Sequence, residues 1–202
     1  MPLWLRAEPL LLASKSAVRR ALLEAAGLPL EVFAADVDER ALERAAGPVA
    51  ADRLAALLAK AKAEAAGARH PLRVIVAADQ TLACDGHVYS KPADKAAARA
   101  QLLSMRGRVH ELHAAAVVRM DGALSFEHVA TARLTMRSFS EAFLDAYLDT
   151  AGEAVTSSVG AYQLEGIGIH LFEGIEGDYF TILGLPLLPL LGFFRKGGMV
   201  EE

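Results

Sequence analysis

Residues 9–20 read PLLLASKSAVRR, and no other stretch narrows the possible folds as much. Leu10, Leu11 and Leu12 form the apolar run of a buried strand, residues 13–16 a tight turn, and Val18, Leu22 and Leu23 the apolar face of a helix. A strand that turns directly into a helix places the first unpaired N–H groups of that helix at a defined point, a natural seat for an anion. Ser14, Ser16, Arg19 and Arg20 gather there. Two readings stay open for the stretch on its own: a phosphate cradle, or an ordinary N-cap on Ser16 with solvated arginines.

The rest of the chain alternates in the same way. A second strand is expected over 30–37, ending in the acidic DVDER of Asp36, Asp38 and Glu39. The longest helix is expected over 48–69, where Leu54, Leu57, Leu58 and Ala61 recur at helical spacing. LRVIVAA at 72–78 reads as a central strand that delivers Asp79, Gln80 and Thr81 at its carboxyl end. A helix over 93–105, with Ala97, Leu102 and Leu103 inward, precedes two long strands, 109–120 and 123–136. Asp121-Gly122 between those strands is a strong hairpin signal. A helix over 140–150 with Ser140 as its cap and Phe143, Ala146, Tyr147 and Leu148 in apolar contact, a glycine-rich stretch to Gly184, a short helix at 186–194 and a frayed tail at 197–202 complete the chain. The expected class is α/β, a mixed sheet flanked by helices, in one domain over 1–202 with no linker long enough to divide it.

Composition excludes several functions. With 53% hydrophobic residues the chain has ample material for a core, and a net charge of -4, from 21 basic and 25 acidic residues, argues against broad binding to nucleic acid or an anionic membrane. Cys84 is the single cysteine, so no intrachain disulfide is possible and a reducing cytoplasm is the expected compartment. The six histidines lack metal-ligand spacing, and neither a P-loop nor a GxGxxG fingerprint is present. Chemistry therefore falls on carboxylates and cations. Asp79 at a strand end is positioned to hold a divalent metal or to take a proton from water, or alternatively to cap the turn that follows. Glu39 and its acidic neighbours could share the ion or lie in a solvated turn. Arg19, Arg20, Lys62 and Lys91 are the cations able to close around phosphate, with Pro92 stiffening the chain after Lys91.

These residues sit in blocks whose order and separation are distinctive: SKSAVRR at 14–20, DVDE at 36–39, LAKAKAEA at 58–65, AADQT at 77–81, SKP at 90–92, RGRVHE at 106–111, GAYQLEG at 160–166 and EGDYFTILGLPL at 176–187. The chain resembles the Maf family, nucleotide pyrophosphatases first described as septum-formation inhibitors, almost end to end. The resemblance implies an elongated α/β fold of two lobes around a central cleft, and a Mg2+- or Mn2+-dependent reaction. A nucleoside triphosphate would be cleaved between its α and β phosphates to the monophosphate and pyrophosphate. By position it implies Asp79 as the catalytic aspartate, Ser14, Arg19, Lys62 and Lys91 around the triphosphate with Arg20 as an additional contact, and Glu39 with Asp79 at the metal.

Three positions depart from the dTTP- and UTP-cleaving branch: Val18 where that branch has arginine, Gln80 in place of threonine, and Glu165 in place of glutamine. They resemble the branch that cleaves 7-methyl-GTP, although an aromatic residue is typical there at the position of Val18. A carboxylate at Glu165 can accept hydrogen bonds from the N1-H and N2-H edge of guanine. The altered SKSAVRR loop leaves a second expectation, a nucleotide-binding regulator of cell division with little catalysis. The apolar second half leaves room for a homodimer.

Overall fold

The computed structural model describes residues 3–201, so Met1, Pro2 and Glu202 of the expected 1–202 domain lie outside the described residues. Its framework is a seven-stranded mixed sheet of β1 (Leu10–Ala13), β2 (Leu30–Val32), β3 (Ile75–Cys84), β4 (His87–Tyr89), β5 (Val109–Met120), β6 (Ala123–Met136) and β7 (Phe172–Glu176). The order is β2-β1-β3-β5-β6-β7, with β4 paired to β3. β1 runs parallel to both β2 and β3, whereas β4 is antiparallel to β3 and β7 to β6. Helices flank the sheet: α1 (Ala17–Ala25), α2 (Glu39–Ala46), α3 (Ala51–Arg69), α4 (Lys95–Met105), α5 (Glu141–Ala151), α6 (Tyr179–Ile182) and α7 (Leu187–Lys196). The mixed α/β class expected from the alternation is therefore the class observed.

Two compact units form, one from Met1–Gln80, Ala114–Ala130 and Tyr179–Glu202, the other from Thr81–His113 and Thr131–Asp178. The chain passes from one to the other within β3, β5 and β6 and once more between Asp178 and Tyr179. In the first unit the two-residue period of the strands divides the core into two layers. Leu10, Leu12, Val76, Ala78, Ala116 and Val118 face one way, against Leu23 of α1 and Leu187, Leu190 and Phe194 of α7. Leu11, Ala13, Ile75, Ala77, Ala115 and Val117 face the other, against Ala55, Ala56, Ala59, Ala63 and Ala66 of α3. The alanines explain why α3 lies close to the sheet: a stripe of methyl groups lets the two backbones approach.

Several sequence expectations need correction. The second strand ends at Val32, not residue 37: Phe33 N still donates to Leu12 O at 2.9 Å and Phe33 and Ala35 still pack on the core, but the register with β1 goes no further than Leu12 and Val32. Residues 39–46, to which no element is assigned from the sequence, form α2, with Asp38 accepting a hydrogen bond from Ala41 N at 2.9 Å as its cap. α2 buries no residue fully; Ala41, Leu42 and Ala46 on its apolar side are half-buried. In α4 the inward positions are Ala98, Leu102 and Met105, an i, i+4, i+7 set, and not Ala97 and Leu103. Ala146 of α5 is exposed, and Leu144 takes the inward place. The end expected to fray is held instead. Met199 and Val200 are buried, Trp4 bridges Val200, and Leu5 N and Glu201 N donate to Met199 O and Leu3 O. Glu202 lies outside the described residues.

The second unit contains a buried histidine. His110 Nε2 pairs with Tyr162 Oη at 2.7 Å, Nδ1 has no hydrogen-bond partner among the described residues, and the ring lies against Tyr162 and Phe172. Burial without a counter-charge pushes its pKa down to about 4. The folded value lies below the ordinary 6.5, so the neutral ring's full contribution to stability is present above pH 6.5 and is lost as pH falls toward 4. About 3 kcal/mol should disappear across that window. Urea midpoints of the wild type and His110→Phe test this: the difference between them should shrink from pH 7 to pH 4, and a constant difference would assign the acid sensitivity elsewhere.

Gly168, also in this unit, has no room for a side chain, since a Cβ would stand 2.4 Å from Gln163 O. A backbone oxygen cannot rotate away, so Gly168→Ala should destabilise the second unit by about 1–3 kcal/mol. Denaturant midpoints measure it, and an unchanged midpoint would mean that the loop around Gln163 relaxes freely.

Candidate active site

The site begins where β1 ends. Ala13 pairs with Ala77, and β3 continues alone on that side through Asp79 and Gln80 to Cys84. Asp79 is thus inside a strand rather than at its carboxyl end, a correction that follows from Leu82, Ala83 and Cys84 pairing with β4 across the Asp85-Gly86 turn. It still lies beyond the carboxyl end of the parallel neighbour β1, where open α/β sheets receive ligands.

The turn after β1 is built from its own hydroxyls. Ser16 N donates to Ser14 Oγ at 3.2 Å, and Arg19 N donates to Ser16 Oγ at 3.3 Å, which makes Ser16 the N-cap of α1. The consecutive arginines then diverge. Arg19 shares the buried face with Leu23, whereas Arg20, 58% exposed, pairs with Glu24 at 2.7 Å on the outer face. Arg19 Nε donates to Gly184 O at 2.7 Å, and Nη1 donates to Ser14 Oγ at 3.2 Å and Ala78 O at 2.8 Å. Burial lowers the Arg19 pKa, and the charges of Asp79 and then Glu39 push it back up.

Lys62 is the second cation of the site. Its Nζ binds Asp79 Oδ1 and lies 2.8 Å from Glu39 Oε1. The Lys62 and Asp79 side chains are only 12% and 10% exposed, so water screens the pair weakly, while Glu39 is 47% exposed. α3 supplies the lysine because its alanine stripe holds it close to β3; α2 supplies Glu39 as its first residue. Asp38 is committed to its cap and Asp36 is exposed, so of this acidic group Glu39 alone makes an ion pair with Lys62.

Gln80 has a job that its position in the sequence did not suggest. Nε2 donates to Thr181 O at 3.0 Å and Ile182 O at 2.9 Å. The opposite orientation of the amide would set its oxygen against two carbonyls, so the assignment is forced. With Arg19 on Gly184 O, the backbone at 181–184 is fixed at several points. Gly184 has φ 89, and a Cβ there would stand 3.2 Å from Arg19 Nη2 and 3.4 Å from Gln80 Oε1. These carbonyls, with Ala78 O, are the groups that side-chain reasoning missed; the only trace was the glycine within TILGLP.

Ser14, Arg19, Glu39, Lys62, Asp79 and Gln80 therefore belong to one set within the first unit. Val18 is half-buried on α1. Lys91 and Glu165 belong to the second unit and are both exposed, and Lys91 makes no ion pair among the described residues. No group of three or more His, Cys, Asp or Glu side chains is placed to hold a metal among the described residues. Two carboxylates do converge on one cationic centre at Lys62 Nζ. Two carboxylates completed by water and phosphate oxygens are the donor set that Mg2+ accepts, so Glu39 and Asp79 fit such an ion.

Fold and site together define a mixed α/β protein whose buried charges cluster beside a strand-turn-helix junction. The chain belongs to the Maf family, whose profile, described as Maf-like protein, matches residues 9–197. It is 54% identical to a nucleoside triphosphate pyrophosphatase of Nitrobacter winogradskyi over 97% of each chain. Proteins of the same name from Rhodopseudomonas palustris and Bradyrhizobium diazoefficiens are 52% and 53% identical over 99% of each chain. Among the described residues no helix is long and apolar enough to cross a membrane.

Proposed function

We propose that this protein is a nucleoside triphosphate pyrophosphatase, which adds water across the α-β phosphoanhydride and releases the nucleoside monophosphate and pyrophosphate. The observation that carries the reading is the Arg19, Lys62, Asp79 and Glu39 cluster at the β1 end, in a chain that matches proteins of that name over nearly its whole length. The 14–16 turn offers hydroxyls and the start of α1 to phosphate oxygens. Arg19 and Lys62 neutralise charge that develops on the phosphates, and an Asp79 carboxylate oxygen accepts the proton of the attacking water. Glu39 and Asp79 would hold a Mg2+ or Mn2+ ion, which when bound polarises phosphoryl oxygens.

The substrate class is a non-standard nucleotide, with 7-methyl-GTP the foremost candidate. Glu165 supports this choice, since a carboxylate accepts from the guanine edge and cannot donate to a pyrimidine carbonyl. Gln80 acts on the base only through Oε1, because its amide hydrogens serve Thr181 and Ile182. Val18 offers a small aliphatic wall. The cytoplasm is its place of work, consistent with Cys84 as the one thiol.

A panel of nucleoside triphosphates with Mg2+ or Mn2+, resolved into products by ion exchange, tests the proposal. Monophosphate and pyrophosphate are the expected products, with kcat/KM for 7-methyl-GTP above that for dTTP and UTP. Nucleoside diphosphate and orthophosphate would sink the assignment.

A further inference from the structure

We infer that Lys62 keeps the Glu39 and Asp79 carboxylates closed to a bare divalent cation, so that the ion enters only together with the triphosphate. The inference rests on the proposed function and concerns the order in which its site fills. Lys62 Nζ binds Asp79 Oδ1 and lies 2.8 Å from Glu39 Oε1, so it stands where an ion shared by these carboxylates would sit. Asp79 also acts on Arg19, with Glu39 behind it. Two carboxylates against one lysine and one arginine leave the cluster with no net charge to attract a cation. A divalent ion arriving alone would meet an ammonium at contact distance in a place that water screens weakly.

A triphosphate changes the balance. Its oxygens offer Lys62 other partners, and a lysine on a flexible stem can move to them where a planar, bidentate arginine would have to break several fixed bonds. Release of Lys62 frees both carboxylates at the moment when the phosphates supply the remaining oxygen donors. Nucleotide and cation then bind with positive coupling, and by linkage each strengthens the other equally. Arg19, held by Gly184 O, Ala78 O and Ser14 Oγ, stays in place throughout.

Electron paramagnetic resonance of free Mn2+, titrated into nucleotide-free protein, reads this without turnover. Lys62→Met and Lys62→Gln should bind Mn2+ at least about tenfold more tightly than the wild type, because one like charge at contact distance is removed. Lys62→Arg, which keeps the charge, should bind no more tightly than the wild type. Two neutral variants and circular dichroism spectra guard against one that does not fold. Equal or weaker Mn2+ binding by the folded neutral variants overturns the inference. Mn2+ left unbound by every protein overturns the Glu39 and Asp79 cation site as well, while pyrophosphate release in the product assay still decides the proposed reaction separately.

Discussion

Asp79→Asn is expected to lower kcat for pyrophosphate release by about a thousandfold, the middle of the range for losing a general base or its equivalent. The substitution preserves shape and removes only charge. Asp79 is buried within β3, flanked by Ala78 and Gln80, whose bonds to Arg19 and to residues 181–182 do not involve the carboxylate. Lys62 keeps Glu39 as its ionic partner, and a half-exposed Glu39 retains enough solvent to carry that charge. Folding should therefore survive. The measurement is kcat and KM for the best substrate of the panel, beside a thermal melt followed by circular dichroism. A variant that melts like the wild type and keeps a tenth or more of its kcat would remove Asp79 from the chemistry. A variant that has lost its cooperative melt would instead make Asp79 structural, and Asp79→Ser, a smaller neutral side chain, would then separate the two roles.

Much of this arrangement was legible because its signals are local and periodic. The hairpin over 109–136 was readable to the residue, since Asp121 and Gly122 adopt the positive φ that such a two-residue turn needs, 52 and 80 degrees. Ser16 as a cap and α3 as the longest helix follow from the same kind of information. What escaped the sequence was set by tertiary structure. Asp79 looked like a strand end because the apolar run stops there, yet β4 extends the pairing past it. Arg19 and Arg20 are indistinguishable in one dimension, and only the phase of α1, fixed by Leu23 against the sheet, sends one inward and the other to Glu24. Backbone carbonyls carry no sequence signature at all, so Gly184 O, Thr181 O and Ile182 O could not be anticipated as partners of Arg19 and Gln80.

Arg19→Met should cost about 3 kcal/mol of stability, because it strips the donor from three groups at once in a place where water does not replace it. Gly184 O, Ala78 O and Ser14 Oγ all lose their bond to the guanidinium, and they lie on three separate segments of the first unit, the turn after α6, β3 and the turn after β1. For a chain of this length that loss corresponds to a fall in Tm of about 6–12 °C. Arg19→Lys recovers little of it, since one ammonium cannot span acceptors that the planar fork reaches from Nε and Nη1. Thermal melts of both variants measure the effect, and Arg19→Lys melting at the wild-type temperature would show that the clamp is dispensable. Catalysis separates the two duties of the residue. If Arg19 only holds 184 against 78, the apparent kcat of Arg19→Lys should fall only in proportion to the melted fraction, with KM unchanged, and recover with a stabilising osmolyte. The proposed phosphate site predicts otherwise: kcat stays down by about a hundredfold at temperatures where the variant is fully folded, because a charge proposed to meet phosphate has moved and not merely its support.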